Sequence, residues 1–246
     1  TTGHEISCAK FDSDDDPQWE EAGEVDNLHS HGGYVTGSAN ASVTSGTSVS
    51  VDVAVAGEDR YVLLFVGTRK TSSHRTTDSA TFGGSAMSKL RTAGTDGTDD
   101  NIVTVFGIAN PAVGTASAVA TFSGDMSGGR GTAIVVALNN VSSAVSGGTS
   151  NSDSNATSTN TSAITVTIGD VGFDMAFIEA SGTAPAAGTG GTSINSTTTG
   201  QARVTRNYSP DTSLTQVQTF SSTSFAHAVQ TMRFKGGLMP LDLAVS

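Results

Sequence analysis

The chain has 246 residues, 36% hydrophobic, 14% charged and 6% aromatic, with 29 glycines, 5 prolines and a single cysteine. It is long enough to bury a core, cannot form an internal disulfide, and has no run near the ~18 apolar residues that cross a bilayer. A net charge of −11 opposes binding along a phosphate backbone, which needs clustered cations, so neither nucleic acid nor membrane is expected among its partners. The charged share is well below the ~25% of an average domain. Ser, Thr and Asn must carry the missing polarity, in turns and on the solvent faces of strands, which argues against a helical protein.

Charge is concentrated at the start. Nine carboxylates against the lone cation Lys10 place eight of the eleven net negative charges in residues 1–26. This stretch has no sustained period of 2 or 3.6 and holds the only tryptophan, Trp19. Residues 1–41 are therefore expected to be an acidic N-terminal arm, either merely solvated or anchored on a neighbouring surface by Trp19, Phe11 and Leu28.

From about Ser42 the pattern becomes alternation bounded by Gly, Asn, Asp and Ser, the signature of strands and turns. Val49, Val51, Val53 and Val55 share one face of a first strand. The next run, Tyr61 to Val66, is apolar on both faces and too short for a core helix, which predicts a central strand. Further strands are expected at Ile102 to Ile108, Ala116 to Phe122, Thr132 to Leu138, Ile164 to Ile168, Phe173 to Ile178, Leu214 to Phe220 and Phe225 to Phe234. Short, regularly spaced strands without an amphipathic helix point to an antiparallel two-sheet sandwich. Two polar tracts, residues 142–162 and 182–200, read as long exposed loops.

A series of segments runs through this region in order. Glu58-Asp59-Arg60 leads into the apolar run at Tyr61, followed by Thr81-Phe82-Gly83-Gly84-Ser85-Ala86-Met87 and by Val105-Phe106-Gly107-Ile108-Ala109-Asn110-Pro111. Later come Val171-Gly172-Phe173-Asp174, Asn207-Tyr208-Ser209-Pro210 and Phe225-Ala226-His227-Ala228. The series resembles the jelly-roll domains, similar to concanavalin-like and laminin-G-like sandwiches, of tailed-phage structural proteins and secreted bacterial proteins. It covers residues 42–236. The resemblance brings no catalytic residues and implies a structural or adhesive role. Read as chemistry, the same segments are fold signals: Gly83 and Gly84 suit a turn flanked by Phe82 and Met87 in the core, and Asn110-Pro111 ends a strand. Arg60 is expected to pair with a carboxylate such as Asp59 or Asp174.

Candidate chemical sites are sparse. His29 and His31, two apart, would point the same way in an extended segment, as a metal pair requires. An exposed turn before Gly32-Gly33 is the plainer reading. Asp12, Asp14 and Asp16 have the opening spacing of a calcium loop, but Pro17 takes the place of its glycine and Gly23 that of its bidentate Glu, so an EF-hand is excluded. A loosely bound calcium there, or around Asp96, Asp99 and Asp100, stays open; otherwise no cofactor is expected. No serine lies in Gly-x-Ser-x-Gly, Cys8 has no fixed histidine beside it, and Asp174 and Glu179 fall on opposite strand faces. His227 reads as a satisfied sheet histidine. Six Asn-x-Ser/Thr sequons, at Asn40, Asn140, Asn155, Asn160, Asn195 and Asn207, read as exposed polar loops.

The chain ends in an apolar tail, residues 237–246, behind Gly236-Gly237. Leu241, Leu243 and Val245 alternate, and such a surface left bare is an aggregation liability. It either folds back on its own sandwich or docks on a neighbouring copy, with Leu238 alongside. The resulting expectation is an all-β, non-enzymatic virion structural protein of a tailed phage, a capsid decoration or tail component. Its partners are itself or other particle proteins, through Trp19, Leu238, Leu241, Leu243 and Val245. The alternative is a secreted adhesion or carbohydrate-binding module that holds a glycan in its end loops.

Overall fold

The computed structural model describes residues 8–11, 17–20, 35–70, 72–94, 101–145, 150–153, 159–164, 170–178, 191–197, 202–207, 214–219 and 225–234. They contain no helix. The strands are β1 (Cys8–Phe11), β2 (Pro17–Glu20), β3 (Val35–Val43), β4 (Ser48–Val55), β5 (Tyr61–Arg69), β6 (Thr77–Phe82), β7 (Ser85–Ala86), β8 (Ser88–Ala93), β9 (Asn101–Ala109) and β10 (Gly114–Phe122). They continue as β11 (Arg130–Leu138), β12 (Val141–Val145), β13 (Ser150–Asp153), β14 (Thr159–Ile164), β15 (Asp170–Ile178), β16 (Gly191–Thr197), β17 (Ala202–Asn207), β18 (Leu214–Thr219) and β19 (Phe225–Phe234).

Every ladder is antiparallel. Three large sheets result, with orders β4-β10-β6-β7, β3-β11-β5-β9-β8 and β12-β19-β15-β17-β16, β13 also pairing with β19. Two smaller pairs, β1-β2 and β14-β18, stand apart from these sheets.

The large sheets stack as three layers, because the middle sheet is apolar on both faces. Successive side chains of a strand point to opposite sides. Val62, Leu64 and Val66 of β5 pack with Val49, Val51, Val53, Ala118, Ala120 and Phe122 of the first layer. Tyr61, Leu63 and Phe65 pack with Phe173, Met175, Phe177, Ala228 and Met232 of the third. β11 divides the same way, Val135 to one side and Ile134 and Val136 to the other. Continuous apolar strands are what a sheet covered on both sides requires. The expected antiparallel sandwich is present, and a third layer is added to the two that strand counting suggested.

Two glycines of the middle layer act as sockets. A Cβ on Gly67 would lie 2.6 Å from the Phe177 ring of the third layer, and one on Gly131 would collide with the Phe122 ring of the first. Each aromatic sits directly on backbone, which draws the layers together.

The expected turns form where glycine and asparagine dictate the backbone. Gly83 and Gly84 have φ of 54° and 82° in a two-residue hairpin between β6 and β7, with Phe82 and Met87 buried beside it. β9 ends before Asn110-Pro111, where Asn110 is left-handed at φ 48°. The polar tracts differ from expectation. Within 142–162, expected as a loop, lie most of β12 and all of β13, with β14 extending two residues beyond, and 182–200 contains β16. Ser, Thr and Asn can form strands where a neighbour supplies the ladder, and Thr favours them. β12 places Val141 in the core and packs Ala144 against it. The segment expected as arm holds the β1-β2 hairpin, and pairing of the middle sheet starts at Val35, ahead of the expected boundary at 42.

Candidate functional site

The most charged buried spot is on the third layer. β15 pairs with β19 so that Ala176 faces His227 and Asp174 faces Val229, making Asp174 and His227 diagonal neighbours on the side turned away from the middle sheet. His227 Nε2 and an Asp174 carboxylate oxygen are in direct contact, with the side chains 2% and 0% exposed. Register places Arg203 opposite Ala176, Thr205 opposite Asp174 and Asn151 opposite His227, so four strands run side by side here. A carboxylate on an imidazole is how a general base is oriented. Here solvent does not reach either group, so the pair cross-ties β15 to β19. Asp174 is thereby engaged by His227, one of the two partners foreseen for Arg60 being already committed.

Arg60 performs a different task. Its Nε donates to the Pro111 carbonyl at 2.8 Å and its Nη1 to the Gly57 carbonyl at 2.7 Å. Backbone bonds join the same loops: Asn110 N–H to Arg60 O at 2.7 Å, Asn140 N–H to Glu58 O at 2.9 Å and Val141 N–H to Asp59 O at 2.9 Å. Asp59, Asn110 and Asn140 all have positive φ, a conformation Asp and Asn tolerate best after glycine. Three loops are thus knitted into one rigid end. Val35 pairs with Leu138 and Leu138 with Tyr61, while Phe234 pairs with Val141, so both terminal segments join the layers at this end.

At the opposite end, Lys70 Nζ and Arg75 Nε donate to the Asp125 carbonyl at 2.8 and 3.4 Å. The Asp125 carboxylate accepts the Ser127 and Gly46 N–H groups at 2.6 and 3.2 Å. Hydrogen bonds from Ser127, side chain first and then backbone, hold this carboxyl below the usual carboxylate range. Arg69 and Arg130 face each other across β5 and β11; burial, then the charge of Arg69, lowers the Arg130 guanidinium.

Of the expected partner-binding residues, Trp19 lies on β2 opposite Ala9, and Leu238, Leu241, Leu243 and Val245 lie outside the described residues. So do His29, His31, Asp12, Asp14, Asp16, Asp96, Asp99, Asp100 and Asn155. Among the described residues, no group of three His, Cys, Asp or Glu could hold a metal. Four sequon asparagines are on strands and not in loops: Asn40 (β3), Asn160 (β14), Asn195 (β16) and Asn207 (β17). Asn40 Nδ2 donates to Asn195 Oδ1 at 2.8 Å and Asn195 Nδ2 to Ser38 Oγ at 3.2 Å, tying the edges of the middle and third layers. Sequence reasoning missed this bridge because its members lie 155 positions apart. No family model, no curated protein and no solved structure matches the chain.

Proposed function

We propose that this chain is a non-enzymatic structural protein of an assembled particle, a capsid decoration or tail component of a tailed phage, in which a stiff β scaffold is held to its neighbours by the terminal segments. The observation that carries the reading is strand order. β3-β11-β5-β9, extended by β8 to the five-stranded middle sheet, faces the four-stranded β4-β10-β6-β7, and the chain crosses between them at β3 to β4, β4 to β5, β5 to β6, β7 to β8, β9 to β10 and β10 to β11. That order supports two interlocked Greek keys, the jelly-roll plan common in particle coats and lectins. The step from plan to particle is by analogy. The junction of both termini with one knitted end supports their use as grips.

Light scattering and electron microscopy of the purified full chain test this. The expected result is a defined oligomer, lattice or filament. A monodisperse monomer that binds glycans on an array overturns the reading in favour of an adhesion module, and turnover lost with a single side chain overturns it in favour of an enzyme.

A further inference from the structure

The third layer is buried on both of its faces. On β15 and β19, Phe173, Met175, Phe177, Ala228 and Met232 point into the core shared with the middle sheet. The intervening positions point the other way. Of these, Asp174, Ala176, His227, Val229 and Thr231 are all buried, and Ala176 and Val229 belong to neither core of the three layers. A sheet face open to water does not bury its alanine and valine completely. Another element therefore lies on it.

The β14-β18 pair is placed to be that element. It forms a sheet of its own, with antiparallel rungs from Thr159↔Thr219 to Ile164↔Leu214. A two-stranded ribbon is marginal in water by itself and needs a surface to pack on. Ile164 is six residue steps from Asp170, where β15 begins, and Thr219 is six steps from Phe225, where β19 begins. Each tether thus reaches at most ~21 Å. Asp170 and Phe225 mark opposite ends of the β15-β19 ladder, which runs from Asp170↔Arg233 to Ile178↔Phe225. Those eight steps span ~27 Å. A ribbon placed beyond either end of the ladder would leave one tether the whole ~27 Å to cross, more than it can reach. The ribbon must therefore lie alongside. Both ladder edges of β15 are taken by β17 and β19, and both edges of β19 by β15 and by β12 with β13. One face belongs to the middle sheet. A place beyond the edge strands would leave the other face bare, although its residues are buried.

We infer that the β14-β18 ribbon is a strap, tethered at both ends, that closes over the outer face of β15 and β19 and seals the Asp174–His227 pair from solvent. This holds independently of whether the chain assembles. His227 touches Asp174 through Nε2, while its Nδ1 has no hydrogen-bond partner among the described residues. A buried imidazole nitrogen in that state has lost a bond that water would return, which favours lifting of the strap. The position of the strap then sets whether solvent or a ligand meets an imidazole already seated beside a carboxylate.

Photocrosslinking tests the cover, and carbethoxylation tests its opening. The full chain carrying Val229→photoleucine is irradiated and digested, and the crosslinks are mapped by mass spectrometry. Links to residues 159–164 or 214–219 of the same chain are the expected result. Links to any other segment, such as β1-β2, links to a second copy, or insertion into water alone overturn the strap. Diethyl pyrocarbonate should leave His227 of the wild-type chain unmodified. Thr161→Pro combined with Ser162→Pro removes a ladder donor from β14, because one of two adjacent N–H groups faces β18. In that variant His227 should be modified ~10-fold faster or more, as expected for local opening, with the far-ultraviolet circular dichroism of the large sheets retained. An unchanged rate in the folded variant, or ready modification of His227 in the wild type, overturns the seal. Should the proline variant fail to fold, the crosslink map decides.

Discussion

Leu63 and Leu64 are adjacent on β5, point to opposite faces of the middle sheet, and are both fully buried, at 0% exposure. In a two-layer sandwich one of them would face solvent, and its truncation to alanine would change stability by no more than ~0.5 kcal/mol. In three layers both truncations leave a cavity in close-packed surroundings, at a cost of ~2–5 kcal/mol each. Leu64→Ala opens the core that holds Val49, Val51 and Phe122, and Leu63→Ala the core that holds Phe173 and Met175. Each is a large part of the ~5–15 kcal/mol that typically separates native from unfolded protein. Urea unfolding followed by far-ultraviolet circular dichroism gives both values, with unchanged denaturant slopes confirming that the native state is the one altered. If Leu64→Ala costs more than ~2 kcal/mol while Leu63→Ala costs less than ~0.5 kcal/mol, the third layer does not pack on the middle one and the argument for doubly buried β5 fails.

Asp174→Leu should cost ~3–5 kcal/mol in the same assay because it strands the buried His227 imidazole, and adding His227→Phe should recover much of the loss; equal losses in single and double variants would mean the pair is not coupled. Gly67→Ala forces a methyl against the Phe177 ring 2.6 Å away and should cost ~1–3 kcal/mol, relieved by Phe177→Leu; a neutral Gly67→Ala contradicts the socket. The Asp125 carboxyl is held below its ordinary range, so its contribution to stability is present above ~pH 4 and is lost as pH falls through the folded value. Asp125→Asn should therefore melt below the wild type at pH 7, with the gap closing towards pH 2, and a gap independent of pH would remove the charge from the explanation.

The strands most readily legible were those whose residues face one clear demand. Val49 to Val55 alternate because one side meets a core and the other water, and Tyr61 to Val66 are continuous because both sides meet a core. β12, β13 and β16 were hidden because their Ser, Thr and Asn composition is equally that of a loop until β19 or β17 provides a ladder. The same limit applied to polar side chains. His227 was readable as a sheet histidine from its apolar strand, but its contact with Asp174 depends on the register of two strands more than fifty positions apart.

Sequence by itself determined the β class, the places where turns must bend the chain, and which side of β4 is buried, since these follow from backbone sterics and period-2 patterning within a few residues. Tertiary structure decided the number of layers, the partner of each buried charge, and which strands became edges. A strand's own residues state that both its faces are apolar; only the rest of the chain, arriving from distant positions, decides what covers them.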